Sequence, residues 1–205
     1  MVSTNQSAFI RGRFIHDNFI MVSQTAKMLH QKKIPAIFLK LDIKKAFDSV
    51  HWAFLLEILQ HLGFGQGWCN LILNLLWTSS TQVLVNGVPG QPINLKCGLR
   101  QGDPLSPFLF ILVMDVLNSL FIRADECGLL HPLAGRNISQ RVSMFADDVV
   151  VFVKPVSGDL VVVREILRCF GVASGLHTNL QKSFSYPIWC DNERIELAVQ
   201  TLGCA

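Results

Sequence analysis

Three aspartates stand where the surrounding residues are apolar. Asp42 closes the run "AIFLKLD", and Asp147 and Asp148 interrupt "RVSMFADDVVVFV". Charge in apolar surroundings needs compensation, and a divalent cation is the usual compensator. Mg²⁺ takes oxygen ligands and commonly binds through one or two carboxylates completed by substrate phosphates. Two such ions activate an attacking hydroxyl and stabilise a leaving pyrophosphate, which is the chemistry of phosphoryl transfer. Each aspartate also has a plain alternative. Asp42 suits a turn or a helix cap after a strand. Asp147-Asp148 suits a hairpin turn as well as a metal site, although such a turn favours Asp-Gly and Val149 follows here.

The elements that must position these carboxylates can be traced along the chain. "HDNFIMVSQTAKMLHQKK" has Phe19, Ile20, Ala26 and Leu29 at near-helical spacing, with Pro35 beyond its end. "AIFLKLD" reads as a buried strand and "KKAFDSV" as the turn after it. Trp52, Leu55, Leu56, Leu59 and Leu62 share one face of a helix that stops at Gly63, and Trp68, Leu71, Ile72, Leu75 and Leu76 repeat the pattern. Residues 81–85 alternate like a strand, Asn86-Gly87 is a strong hairpin signal, and the return strand is expected near residues 93–96. After "GLRQGDP", residues 104–127 read as one long helix ending at Gly128, with a polar edge at Asp115 and Asn118. "VSMFADDVVVFV" is strand, tight turn, strand. Two further helices are expected, from about Asp159 to Phe170 with a stop at Gly171, and from Asp191 to Leu202 with a stop at Gly203. No repeat, linker or domain boundary interrupts this order. It predicts an α+β fold, an antiparallel sheet backed by helices.

Bulk properties bound the rest. A chain of 205 residues, half of them apolar and 16% charged, is long and apolar enough to bury a core. A net charge of +3 permits a nucleic-acid partner without demanding one. Six cysteines, at 69, 97, 127, 169, 190 and 204, are scattered singly with no zinc spacing, which favours buried or incidental thiols. The longest unbroken apolar run, Phe108 to Met114, is far short of the ~20 residues that span a bilayer. No targeting signal is visible, so nucleus or cytoplasm is expected, with no membrane association.

Taken together, "FLKLDIKKAFDSV", "CGLRQGDPLSPFLFILVMDVL", "FADD" and "SGLHTNLQKS" resemble the palm motifs of reverse transcriptases, in order and rough spacing. The nearest resemblance is to non-LTR (LINE-type) retrotransposon polymerases, and among these to plant elements. "NQSAFIRGRFIHDNF" looks like the segment preceding the palm in the same proteins. The resemblance implies a reverse-transcriptase palm with partial fingers (residues 1–35, then mostly palm over 36–205). It also implies an RNA-directed DNA polymerase transferring dNTPs to a primer 3′-OH on an RNA template.

By position, the resemblance makes Asp42, Asp147 and Asp148 catalytic metal ligands. The backbone of Ile43 would lie beside the metal-bound triphosphate. Two Mg²⁺ ions are implied, with Mn²⁺ as a substitute. Phe47 matches the aromatic gate that would exclude a ribose 2′-OH by size. Gln101 and Gly102 match the nucleotide pocket, an amide for the incoming sugar and a glycine for close backbone approach. Lys182 matches the lysine that would neutralise the leaving pyrophosphate. Arg100, Arg11 and Arg13 are candidates for template or primer phosphates. Relatives carry more fingers upstream, a thumb downstream and an endonuclease, none of which is expected in this chain. The alternative is a catalytically inactive retrotransposon remnant with at most weak nucleic-acid binding.

Overall fold

The computed structural model describes residues 2–134, 138 and 140–204. In chain order it contains α1 (Ile15–Gln31), β1 (Ala36–Leu41), α2 (Ala46–Ser49), α3 (Trp52–His61) and α4 (Gln66–Trp77). Four two-residue strands follow, β2 (Ser80–Thr81), β3 (Leu84–Val85), β4 (Val88–Pro89) and β5 (Ile93–Asn94). Then come α5 (Ser106–Glu126), β6 (Val142–Phe145), β7 (Asp148–Val153), α6 (Ser157–Ser174), β8 (Phe184–Ile188) and α7 (Asn192–Leu202). The main sheet is antiparallel with strand order β6-β7-β1-β8. The expected α+β architecture is the observed one.

Alternation along the strands decides which face is buried. Ile37, Leu39 and Leu41 of β1, Val149, Val151 and Val153 of β7, and Val142 and Met144 of β6 are all buried. They join Leu55 and Leu59 of α3, Phe110, Val113 and Leu117 of α5, and Leu160 and Val163 of α6 in one core. Burying a side chain such as Leu39 contributes about 1.5–3 kcal/mol. On the opposite face, among the described residues, Leu29 of α1 packs with Ala36 and Phe152, with Phe38 and Val150 partly buried beside them. Toward the Leu41 end of β1, Lys40, Asp148, Phe184 and Tyr186 are exposed. The sheet therefore has one helix-backed face and one partly open face. α5 meets the length and composition of a membrane-spanning helix, but its Phe110, Val113, Met114, Leu117 and Phe121 are core residues.

Several expectations are corrected. Phe19 and Ile20 do not share the buried stripe of α1, since Phe19 is 72% exposed while Leu29 is fully covered. On α4 the buried positions are Cys69, Ile72 and Leu76, and Trp68, Leu71 and Leu75 face outward. Two apolar stripes run side by side on that helix, and only packing selects one. The turn "KKAFDSV" contains the short helix α2. Asn86-Gly87 does form a hairpin turn, but its return strand is β4; residues 93–94 instead pair with β2. Asn118 is buried and bonded to Asn5 rather than on a polar edge. α6 runs through Gly171 to Ser174, and glycine at 171 serves a close approach, since a β-carbon there would lie 2.7 Å from Nδ1 of His177. The helix stops instead at Gly175, whose φ is +82°. β8 has no counterpart among the expected elements. It pairs with β1 at the sheet edge, the position where Pro187 and its missing N–H are tolerated.

Candidate active site

The hairpin β6-β7 is built by two apolar, β-branched-rich runs around a two-residue loop. Phe145 pairs with Asp148, so Ala146 and Asp147 form the loop and Asp148 opens β7. Ala146 adopts φ 56°, a left-handed conformation that costs a residue with a β-carbon on the order of 1 kcal/mol. Strand β1 lies alongside, in a register that runs from Ile37 opposite Val153 to Leu41 opposite Val149. The ladder ends there, and Asp42 follows Leu41 on one strand as Asp148 precedes Val149 on the other. By the alternation of strand side chains, Asp148 lies on the face opposite Val149. That face is the partly open one, which also carries Lys40.

The backbone of Asp42 does not continue into the sheet; it is fastened to the segment after α6. Its N–H donates to Ser183 Oγ at 3.1 Å, and its carbonyl accepts from Asn179 N at 2.8 Å. Lys44 N donates to His177 O at 2.8 Å, which completes an antiparallel bridge between Ile43 and Thr178. Ile43 is the non-hydrogen-bonded position of that bridge, so the bridge leaves its own carbonyl unused. Ser183 Oγ in turn donates to Asn179 O at 2.8 Å. Exposed Lys182, whose N–H donates to Asn179 O at 3.1 Å, is held in this same corner.

Phe47 sits on α2, four residues after Ile43. Its ring stacks on fully buried Phe110 at a centroid distance of 4.4 Å and an angle of 18°. An aromatic pair of this kind is worth about 0.5–1.5 kcal/mol beyond burial and holds the Phe47 ring in one plane. The helix itself is gripped from two sides. Gly98, with φ +85°, lies so close that a β-carbon would be 2.6 Å from Asp48 O. Leu99 N donates to Phe47 O at 2.7 Å and Gly98 N to Val50 O at 2.8 Å, while Trp52 Nε1 donates to Gly98 O at 2.7 Å. On the other side a β-carbon on Gly175 would be 2.1 Å from Ser49 O, and His51 N donates to Ser174 O at 2.8 Å. The loop from Gly98 also carries Gln101, whose Nε2 donates to Asp48 Oδ1 at 3.3 Å. Gly102, φ +88°, is exposed with open space around it.

Asp42, Ile43 and Lys182 are thus held in one corner at the end of the sheet, and Gln101 is bonded to α2, which carries Phe47. A family model described as reverse transcriptase (RNA-dependent DNA polymerase) matches residues 1–197. The chain belongs to the reverse transcriptase family. It is 31% identical over 172 residues to the Pol polyprotein of the type-2 retrotransposable element R2DM of Drosophila melanogaster, covering 84% of this chain and 16% of that protein. It is 28% identical over 186 residues to the 149 kDa protein of transposon TX1 of Xenopus laevis, covering 89% of this chain and 14% of that one. A mitochondrial protein of Arabidopsis thaliana is 48% identical over 67 residues, 32% of this chain and 55% of that protein. This domain therefore spans only a small part of the retrotransposon proteins it resembles. Among solved structures, telomerase from Candida albicans in complex with a fragment of telomeric RNA aligns with TM-score 0.62 at 14% identity, covering 84% of this chain and 30% of that one. Apo telomerase from Candida tropicalis aligns with TM-score 0.61 at 12% identity, covering 92% and 37%. These two share the fold.

The reverse transcriptase domain offers hard oxygen donors of the kind a divalent cation takes: three carboxylates and the Ile43 carbonyl. None of the three aspartates is ion-paired among the described residues. Asp147 and Asp148 are exposed and Asp42 is half-buried, so the cost of burying charge applies in part to Asp42 and not to the pair. Among the described residues no three carboxylates are gathered as a ready-made ligand cluster. The chemistry of the donor set fits a cation completed by phosphate and water oxygens.

The basic residues divide. Arg100 and Arg11 are exposed. Arg13, half-buried, braces the N-terminal segment. Its guanidinium donates to Ser3 O at 2.5 Å, Gln6 O at 2.6 Å and Val2 O at 3.5 Å. Three backbone carbonyls near the N-terminus satisfy it, which sequence alone could not show. Ser183, Asn179, Gly98, Gly175 and Gln6 also build the site without having been singled out by sequence. Their only local signal is membership of the stretches "NLQKS", "CGLRQ", "SGL" and "NQS".

Proposed function

We propose that this domain is the nucleotidyl-transfer centre of an RNA-directed DNA polymerase from a non-LTR retrotransposon of plant type. The carrying observation is that β1, which ends just before Asp42, pairs with β7, which Asp148 opens, with Asp147 in the adjoining turn, at the open end of the sheet. Asp42, Asp147, Asp148 and the Ile43 carbonyl would hold two divalent cations, Mg²⁺ or its substitute Mn²⁺. Bound there, the cations supply charge stabilisation and a more acidic primer 3′-OH.

The chain's own residues orient and select. Phe47, fixed by Phe110, excludes a ribose 2′-OH through size, so deoxynucleotides are preferred. Gln101 offers an uncharged amide to the incoming sugar once its bond to Asp48 is exchanged. Gly102 lets the backbone approach the nucleotide, and Lys182 neutralises the departing pyrophosphate. Arg100 and Arg11 offer charge to the phosphates of the RNA template and DNA primer. Residues 1–35 are read as partial fingers and the remainder as mostly palm, a domain that works within a longer polyprotein bearing fingers, thumb and endonuclease. Its place of action would be nucleus or cytoplasm.

Primer extension on an RNA template with dNTPs and Mg²⁺ or Mn²⁺ tests the proposal. Incorporation by the wild type and none by Asp147→Ala is the expected result. Equal signal from both overturns it, and a folded wild type that binds nucleic acid without extending primer favours an inactive remnant.

A further inference from the structure

Gln6 is a fully buried amide whose polar atoms are spent on the backbone of Ala146 and Ala8. Its Oε1 accepts from Ala146 N at 3.1 Å, and its Nε2 donates to Ala146 O at 3.4 Å. Oε1 also accepts from Ala8 N at 3.0 Å, which uses the oxygen's second lone pair. The side chain therefore brackets the donor and the acceptor of Ala146, the loop residue with φ 56° that immediately precedes Asp147.

The bracket is itself anchored. Residues 5–7 add to the free edge of β6 as a parallel bridge, with Met144 N donating to Asn5 O at 2.8 Å and Ser7 N donating to Met144 O at 3.2 Å. Asn18 Nδ2 of α1 donates to Met144 O at 2.8 Å and to Ser143 Oγ at 2.9 Å. Arg13 donates to the carbonyl of Gln6. A two-residue loop with positive φ at its first position ordinarily holds Gly, Asn or Asp there, residues that take that conformation easily. Ala146 has neither their freedom nor a side chain to stabilise itself, and the Gln6 amide supplies both bonds from outside.

We propose that Gln6 is a positioning residue for the cation-binding carboxylates. It fixes the backbone on both sides of Ala146, and through it the direction of Asp147 relative to Asp148 and Asp42. This rests on the functional reading above, in which those carboxylates bind a divalent cation. The N-terminal segment, on this account, is a working part of the site.

The test compares wild type, Gln6→Met, Gln6→Glu and Asp147→Ala by Mn²⁺ titration monitored by EPR, by amide hydrogen exchange, and by single-nucleotide incorporation. Gln6→Met keeps the length and volume but neither bond; Gln6→Glu keeps the acceptor and loses the donor. In Gln6→Met the Ala146 amide exchanges faster while amides of α5 and α6 keep their protection. Its Mn²⁺ affinity and kcat fall about tenfold or more, as for groups that orient metal ligands, with KM for dNTP little changed. Gln6→Glu falls between it and wild type, and it carries the test if Gln6→Met does not fold.

Faster exchange with unchanged Mn²⁺ affinity and kcat in either variant overturns the proposal and leaves the polymerase reading standing. A wild type that binds Mn²⁺ through Asp147 but extends no primer, with weaker binding in Gln6→Met, supports the positioning role and sinks the polymerase reading. No Mn²⁺ binding by the wild type overturns both.

Discussion

Gly63 and Gly98 share one backbone conformation, φ +85°, in opposite surroundings. A β-carbon on Gly63 would meet nothing within 4 Å, whereas one on Gly98 would lie 2.6 Å from Asp48 O and 2.8 Å from Asp48 C. Gly63→Ala therefore measures the conformational cost alone, about 1–2 kcal/mol. Gly98→Ala carries the same cost plus a collision with main-chain atoms that have no rotamer to escape through. Overpacking of that kind adds about 1–3 kcal/mol. Urea denaturation of the two variants should separate their stabilities by the collision alone. The surviving fold of Gly98→Ala should also place α2 differently, because Gly98 and Leu99 bond to Val50 and Phe47 across that contact. Discrimination between deoxy- and ribonucleotides, proposed to depend on Phe47, should weaken in Gly98→Ala and not in Gly63→Ala. Equal destabilisation by the two substitutions would refute the claim that Gly98 is required by its contact with α2.

Other outcomes follow from the same contacts. Phe47→Ala should admit ribonucleotides in an incorporation assay while costing about 3–5 kcal/mol or less of stability, since the ring is only half-buried; unchanged sugar selectivity would count against the gate. Ser183→Ala removes the acceptor of Asp42 N and should cost about 1–3 kcal/mol in thermal or chemical unfolding. Burial pushes the Cys204 and Cys190 thiols up, so they should react slowly with an alkylating reagent near pH 8, while exposed Cys97, Cys127 and Cys169 label first. Chelation with excess EDTA should abolish primer extension, and added Mg²⁺ should restore it.

Much of this fold was legible because its signals are local. Alternation in "AIFLKLD" and around Asp147-Asp148 is a property of a few neighbouring residues, and so are the helix stops at Gly63, Gly128 and Gly203. The aspartates, Phe47 and Gln101 likewise stand out by the short motifs that hold them. What failed was tertiary. On α4 two apolar stripes compete, and the sequence has no means of choosing Ile72 and Leu76 over Leu71 and Leu75. Gly171 looks like a helix stop until His177 is seen lying against it. β8 is hidden by Pro187, which is acceptable only at an edge. The bonds from Arg13 to three carbonyls near the N-terminus are likewise invisible in its local sequence. Gln6 and Ser183 carry no chemistry of their own; their importance lies in bonds to backbone atoms more than a hundred positions away.

Asp42 and Asp148, at the ends of paired strands and far apart in sequence, are proposed to serve one cation-dependent reaction. Single-nucleotide incorporation in Mn²⁺ by Asp42→Asn, Asp148→Asn and the double variant tests it most directly. Ligands of a shared site act as a unit, so the double variant should be little slower than the slower single one. Losses that simply multiply, or a single variant as fast as wild type, would contradict it.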